Sequence, residues 1–315
     1  MAESMQNGVF RRNNTTAPAD NGVMSLFSLK GKTAIISGAG GGIGLAAAKA
    51  FAEAGANVAI WYNTNQEAIE RAAGIEKAFN IKCRAYQVNV TSCDEVEAAM
   101  EKTIQEFDGR LDVFVANSGA SWGDETFIDA DIQRYHNLMK INVDGVVYCA
   151  RAAGKHFRRQ KKEGTTLDGS QLSNFSSGSF IATASMSGHI VNIPRRQAAY
   201  NASKAHIIHF CKLAHARTHL QRQDSLTLSY PGKGKSLSIE WLGFARVNSV
   251  SPGFVNTGLS GSVAEEVMDS IKDKIPMGRF GETVEMQGIY LYLASDASSY
   301  ATGADFIVDG GYTAP

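Results

Sequence analysis

The amino-acid sequence predicts an α/β fold, a doubly wound parallel seven-stranded sheet in a single domain. Three observations lead there. From Leu29 onward, short apolar runs of strand length alternate with amphipathic stretches of helical length. The runs are apolar throughout instead of alternating with polar residues, the pattern of strands covered on both faces. A glycine-rich turn also joins the first run directly to the first helical stretch.

The elements follow in order. The first strand is Thr33-Ala34-Ile35-Ile36-Ser37, and the helix after it spans 43–54 and stops at Gly55, a residue that ends a helix at little steric cost. Residues 57–61 form the second strand, 66–79 the next helix and 83–88 the third strand. Asp94 is expected to cap the following helix, because its carboxylate can accept a free N–H of the first turn. Residues 113–116 are the fourth strand, and a long helix runs from 131 to 159. The polar stretch 160–177 then leads, as a surface loop, into the fifth strand at 180–183. The helix bearing Tyr200 comes next, followed by strands at 245–249 and 305–308. Parallel strands joined by helices make a Rossmann-type sheet, which binds ligands at the carboxyl ends of its strands.

Composition excludes several partners. Lys+Arg and Asp+Glu balance at 31 each, so no excess positive charge is available to hold nucleic acid or an anionic membrane. No apolar run approaches the ~18 residues needed to span a bilayer, and the N-terminus lacks the charged-then-apolar pattern of a signal peptide. Cys83, Cys93, Cys149 and Cys211 form no C-x-x-C pair and are expected to be reduced thiols of a cytoplasmic protein. His215 and His219 have the i, i+4 spacing of a metal pair but no glutamate follows the first, so no metal site is expected. Gly234-Lys235-Ser236 resembles the end of a phosphate loop, yet Ser229 stands where its first glycine belongs. Residues 1–25 are expected to be a disordered tail and 26–315 the folded domain.

Two motifs carry the chemistry. Ser37-Gly38-Ala39-Gly40-Gly41-Gly42-Ile43-Gly44 follows the first strand and opens the first helix. Glycines there let the backbone turn tightly and approach a pyrophosphate, which the helix N-terminus stabilises. The second motif is Tyr200-Asn201-Ala202-Ser203-Lys204. On a helix the four-residue spacing puts phenol and ammonium on one face. A free tyrosine titrates near pH ~10, and a neighbouring cation is expected to lower that toward the range useful for acid–base catalysis.

With these motifs stand Asn117-Ser118-Gly119, Asn142, Ser185 and Ser251-Pro252-Gly253 with Thr257. Together they resemble the short-chain dehydrogenase/reductase family over residues 26–315. Ile60-Trp61-Tyr62-Asn63, the run from Thr183 through Gly188 to Pro194, and Asp309-Gly310-Gly311-Tyr312 resemble its mannitol dehydrogenase and sorbose reductase branch, known largely from fungi. The resemblance implies an oxidoreductase interconverting a ketose and its polyol. Tyr200 would give a proton to the carbonyl oxygen as hydride arrives, and Lys204 would lower the Tyr200 pKa and bind the nicotinamide ribose. Ser185 would hold the substrate oxygen, and Asn142 would fix a water linking Lys204 to solvent. Ser187 is the rival to Ser185; Ser185 is preferred because it alone fits Ser-x-x-Gly, ending at Gly188.

The resemblance also implies the cofactor contacts: Gly38, Gly40, Gly42, Ile43 and Gly44 of the turn; Asn63, Asn89 and Val90; Asn117 and Gly119; Tyr200 and Lys204; and Pro252, Gly253, Val255 and Thr257. Tyr62-Asn63-Thr64-Asn65 offers no acid to bind a ribose 2′-OH, so NADP(H) is favoured over NAD(H), although Gly41 or Gly42 stands where some NADP enzymes carry a turn arginine. Arg195 and Arg196 precede Tyr200 and are expected to be solvated, while His189 either touches a sugar hydroxyl or lies on a surface loop. The family's members are usually homo-oligomers, so a dimer or tetramer is expected.

One stretch departs from the family. Removing 213–235 rejoins Lys212 to Ser236 and restores one continuous helix, which Pro231 and Gly232 otherwise interrupt. Cys211-Lys212-Leu213 can be encoded with a GTAAGT splice signal and Lys233-Gly234 with a terminal AG, so the stretch is read as a retained intron; the alternative is a tolerated surface loop. Two further functions stay open: a carbonyl reductase for non-sugar ketones, and a catalytically silent nucleotide-binding protein.

Overall fold

A computed structural model of the chain describes residues 5–6, 9–10, 17–19, 22–123, 125–193, 195–212, 237–257 and 265–314. The insertion expected at 213–235 lies outside them, as do His215, His219 and the Gly234-Lys235-Ser236 run. Of the expected tail, Met5–Gln6 pairs antiparallel with Val9–Phe10, and Val23–Leu26 forms a helical turn.

Seven strands make one parallel sheet: β1 (Thr33–Ser37), β2 (Asn57–Tyr62), β3 (Cys83–Gln87), β4 (Val113–Ala116), β5 (Gly178–Thr183), β6 (Ala245–Pro252) and β7 (Asp305–Val308). Their order across the sheet is β7-β6-β5-β4-β1-β2-β3. The helices that matter for the site are α1 (Gly42–Glu53), α2 (Glu67–Phe79), α3 (Cys93–Glu106), α4 (Ile132–Met139), α5 (Gly145–Glu163), α6 (Ala198–Cys211) and α7 (Thr283–Ala294). No described helix is long and apolar enough to cross a membrane.

Period-two geometry sorts the strand residues into two cores. Ile35, Ala59, Phe114 and Phe180 enter the cluster on one face, with Trp61, Phe157 and Trp241. Ile36, Ile60, Val115 and Ile181 enter the other, beneath Phe51 of α1 and Tyr290 and Leu293 of α7. Because both faces are covered, the strands read as unbroken apolar runs. Strand order reverses between β1 and β4, the switch point outside whose carboxyl ends such sheets form their ligand crevice.

Three expectations are corrected. The helix expected over 131–159 is α4 and α5 joined by a π-helical turn at Lys140–Asp144, and it continues to Glu163. Gln160 therefore lies in α5, not in a surface loop. It is fully buried because its amide pairs with both backbone groups of Leu111, at 2.7 Å each. Ser92, not Asp94, caps α3: its hydroxyl accepts from the Glu95 N–H, and Asp94 sits in the first turn, where its charge favours the helix dipole.

Candidate active site

The site begins where β1 ends. Gly38 and Gly42 have φ of +65° and +54°, in the left-handed region. A Cβ on Gly38 would sit 2.8 Å from Ser118 Cα, and one on Gly44 would sit 2.6 Å from Asn117 Nδ2 and 2.7 Å from the Gly38 carbonyl. The turn thus closes against the loop after β4 only because side chains are absent. Ser37 Oγ accepts the N–H groups of both Asn117 and Ser118 at 3.1 Å, and Asn117 Nδ2 donates to the Gly38 carbonyl at 3.1 Å. No side chain caps α1 at Gly41, so its N-terminal N–H groups face the crevice as donors for an anion. No carboxylate stands at the end of β2, where Tyr62 is followed by Asn63, Thr64 and Asn65. The donor set and the shape of this cradle fit the pyrophosphate of a dinucleotide.

Across the crevice, β5 ends at Thr183, which acts as a hub. Its hydroxyl donates to Asn117 Oδ1 at 3.1 Å and receives the Tyr290 hydroxyl at 2.7 Å, while its carbonyl accepts from Lys204 Nζ at 2.9 Å. A short 3-10 turn, Met186–Gly188, follows, with Ser185 capping it by accepting the Ser187 N–H. Gly188 abuts α6, where a Cβ would lie 2.8 Å from the Ala205 nitrogen, so the Ser-x-x-Gly pattern has a packing cause. Of the two serines, Ser185 is the one whose hydroxyl acts on the Tyr200 phenol, favouring its ionised form; the Ser187 side chain is buried in the turn.

Tyr200 and Lys204 share a face of α6, with Nζ 5.7 Å from the phenol ring centre. Lys204 is 5% exposed, and burial pulls its ammonium down to about 8. Burial also raises the Tyr200 phenol, which outweighs the lowering by the Ser185 hydrogen bond and by the Arg195 charge. The expectation that Lys204 brings the phenol down is therefore not met by the protein's own atoms: the desolvation of the phenol itself dominates, and the lowering influences are Ser185 and Arg195. Arg195 is half-buried with its charge felt at Tyr200, whereas Arg196 is exposed.

Asn142 lies in the π-helical turn, a distortion often found at functional positions. Its side chain is locked: Oδ1 accepts the Ala120 N–H at 2.8 Å, and Nδ2 donates to the Ala120 carbonyl and Ser203 Oγ at 3.0 Å each. Asn142 and Lys204 meet over Gly119, where a Cβ would lie 3.4 Å from Asn142 Oδ1 and 3.5 Å from Lys204 Nζ. Thr257 packs 3.3 Å from the position of a Gly42 Cβ, bringing the segment after β6 onto the turn. Pro252 ends β6 in register with Val308, Gly253 presses on Asp309, and Val255 pairs with Gly281. Gly40 and Ile43 complete the turn, and Val90 is buried against Gly145.

Two expected contacts are not assembled by side-chain bonds. Asn89 Oδ1 accepts from the N–H and hydroxyl of Thr91, and the side chain of Asn63 is exposed. His189 is engaged by Asp305, whose buried carboxylate lies 2.7 Å from Nε2 and also accepts from Ser249 and Ser251. Residues that sequence reading missed include Ser37, Thr183, Tyr290, Asn65 and Arg71. The last two donate to the Gly40 carbonyl from the loop after β2 and from α2. Trp122, 1% exposed, packs with Leu138, Ala199 and Tyr200 to wall the site.

Known proteins resemble this chain along most of its length. The L-xylulose reductase of Hypocrea jecorina is 57% identical over 311 residues, covering 99% of this chain and 100% of that protein. A protein described as a probable NADP-dependent mannitol dehydrogenase, from Yarrowia lipolytica, is 41% identical over 294 residues, 93% of this chain and 91% of its own. Among solved structures, the NADPH-dependent 3-quinuclidinone reductase from Rhodotorula rubra superposes with a TM-score of 0.80 at 38% identity, covering 96% of this chain and 98% of that one. The short chain dehydrogenase family matches residues 32–223, and a second profile, described as enoyl-(acyl carrier protein) reductase, matches 232–313. With more than half its length matched by the first and a glycine turn facing a Ser–Tyr–Lys constellation, the chain belongs to the short-chain dehydrogenase/reductase family.

Proposed function

We propose that the chain is an NADP(H)-dependent oxidoreductase that interconverts a ketose of the fructose, sorbose or xylulose type and its polyol. The observation that carries the reading is the Ser185–Tyr200–Lys204 constellation at the end of β5, opposite a glycine cradle with no carboxylate at the end of β2. The likeness to an L-xylulose reductase and to a mannitol dehydrogenase supports the substrate class.

The nicotinamide, when bound, supplies or accepts the hydride. Tyr200 holds a proton at the substrate oxygen and releases it in the reducing direction, which its raised pKa suits at neutral pH. Ser185 donates to the same oxygen as negative charge develops there. Lys204 binds the ribose and carries positive charge beside the phenol, and Asn142 anchors the loop at Ala120 that borders Lys204. The turn glycines, Ile43, Asn117, Gly119 and the Pro252–Thr257 segment would hold the nucleotide, and Asn63, Asn89 and Val90 would serve its adenosine end. Asn192, 2% exposed in the loop before Tyr200, leaves its Oδ1 without a partner among the described residues and supports a hydroxylated substrate.

Assembly as a dimer or tetramer belongs to the same proposal. Its support is the edge strand β7, on which Ile307 is 42% exposed. The four free thiols, three of them buried, support a reducing compartment such as the cytoplasm.

The test is NADPH oxidation with xylulose, fructose and sorbose beside an apolar ketone, on the whole chain and on a form lacking 213–235. Ketose turnover supports the proposal. Turnover of the apolar ketone alone moves the chain to the carbonyl reductase reading, and silence from both forms leaves a nucleotide-binding protein without catalysis.

A further inference from the structure

A cofactor carrying a 2′-phosphate needs a cation beside the adenosine ribose, between the glycine turn and the end of β2. Neither place supplies one: the turn holds Gly40, Gly41 and Gly42, and β2 runs into Asn63, Thr64 and Asn65. We infer that Arg71, in the second turn of α2, reaches back across the turn and is the residue that recognises the 2′-phosphate. The inference rests on the NADP(H) reading above.

The guanidinium is already in place. Arg71 Nη1 donates to the Gly40 carbonyl, and a Cβ on Gly41 would lie 3.2 Å from that nitrogen. The missing side chain of Gly41 is what leaves room for an arginine arriving from another element. Asn65 Nδ2 donates to the same carbonyl at 3.0 Å, so two donors converge on one spot beside the turn. The Arg71 side chain is 36% exposed, open to an incoming anion.

Nη2 pairs with Glu67 at 2.5 Å, one turn earlier on α2. That pair orients the guanidinium and leaves Nη1 on a neutral carbonyl, a weaker acceptor than a phosphate dianion. A 2′-phosphate takes Nη1 and Asn65 Nδ2 from the carbonyl while Nη2 stays with Glu67. The Glu67 carboxylate in turn repels the phosphate, so it holds the arginine at some cost to affinity. A purely structural clamp on the turn would act on NADPH and NADH alike, and this difference makes the assignment testable.

The experiment titrates NADPH and NADH into the whole chain by cofactor fluorescence, for wild type, Arg71→Ala, Arg71→Lys and Glu67→Gln. Expected are a loss of NADPH affinity on the order of 10- to 100-fold in Arg71→Ala, NADH affinity unchanged within about twofold, and partial recovery in Arg71→Lys. Glu67→Gln is expected to tighten NADPH several-fold without moving NADH, and it keeps the test sharp should Arg71→Ala fold poorly. Parallel weakening of both cofactors in Arg71→Ala, or unchanged NADPH affinity in the Arg71 and Glu67 variants, overturns the assignment alone. A wild-type chain that does not prefer NADPH overturns it together with the cofactor reading.

Discussion

At the nucleotide end of the site, Gly38, Gly42 and Gly44 work through what they lack. At the chemical end, Ser185, Tyr200 and Lys204 work through atoms they carry. The first region is backbone against backbone, closed by Ser37 and Asn117. The second is a set of buried polar side chains on α6 and the end of β5, with Thr183 bonded to both regions. The contrast teaches that substitutions at the two ends should fail differently: by shape and binding at one, by proton transfer at the other.

The largest separation is expected from Lys204→Met. Turnover should fall on the order of 10³-fold, well beyond the loss of nucleotide affinity, which reflects only the Lys204 contact to the ribose. The same variant carries a stability signature. The folded pKa of Lys204, about 8, lies below the ordinary 10.5. Burial of the charged form therefore costs about 3 kcal/mol below pH 8, and the cost fades as pH rises from 8 to 10.5. In thermal melts of the chain without nucleotide, wild type should gain on Lys204→Met through that window. A difference that stays flat with pH would mean that the ammonium is well solvated.

Gly44→Ala should do the reverse. Its Cβ meets backbone at 2.7 Å and Asn117 Nδ2 at 2.6 Å, so the turn must shift, at about 1–3 kcal/mol of stability. Isothermal titration should then find NADPH binding more than about tenfold weaker. Unchanged affinity would break the claim that the shape of the glycine turn governs binding at this end.

Ser185→Ala and Ser187→Ala sharpen the chemical end. The first should lower kcat on the order of 10²-fold and the second by about twofold at most, because of the two hydroxyls it is that of Ser185 that acts on the phenol. Equal losses would return the role to both serines. In pH profiles, reduction needs the phenol and oxidation the phenolate. With the Tyr200 pKa raised, reduction should hold through neutral pH and oxidation should climb with alkalinity. The smallest effect is expected from Tyr290→Phe, which removes one buried hydroxyl bond to Thr183 and should cost about 1 kcal/mol in denaturant unfolding.

What the sequence disclosed divides along a physical line. The seven strands, the glycine turn and the Tyr200–Lys204 face were legible because each depends on neighbours in the chain. An apolar run, a strand–turn–helix order and a four-residue spacing are local patterns. Arg71 at the Gly40 carbonyl spans 31 residues, and His189 at Asp305 spans 116; neither pairing leaves a local trace. Gln160 looked like the start of a polar loop because a buried amide paired with Leu111 is indistinguishable in sequence from a solvated one. The π-helical turn at Asn142 has no period of its own. The pKa of Tyr200 was misjudged for a related reason: spacing reveals a neighbouring charge but not how deeply both groups are buried.

The most direct measurement pairs NADPH affinity with a single-turnover rate of NADPH oxidation by saturating xylulose, on wild type and Tyr200→Phe. The account predicts unchanged affinity, within about twofold, and a rate lower by on the order of 10³-fold. A Tyr200→Phe chain that still oxidises NADPH at the wild-type rate would contradict it.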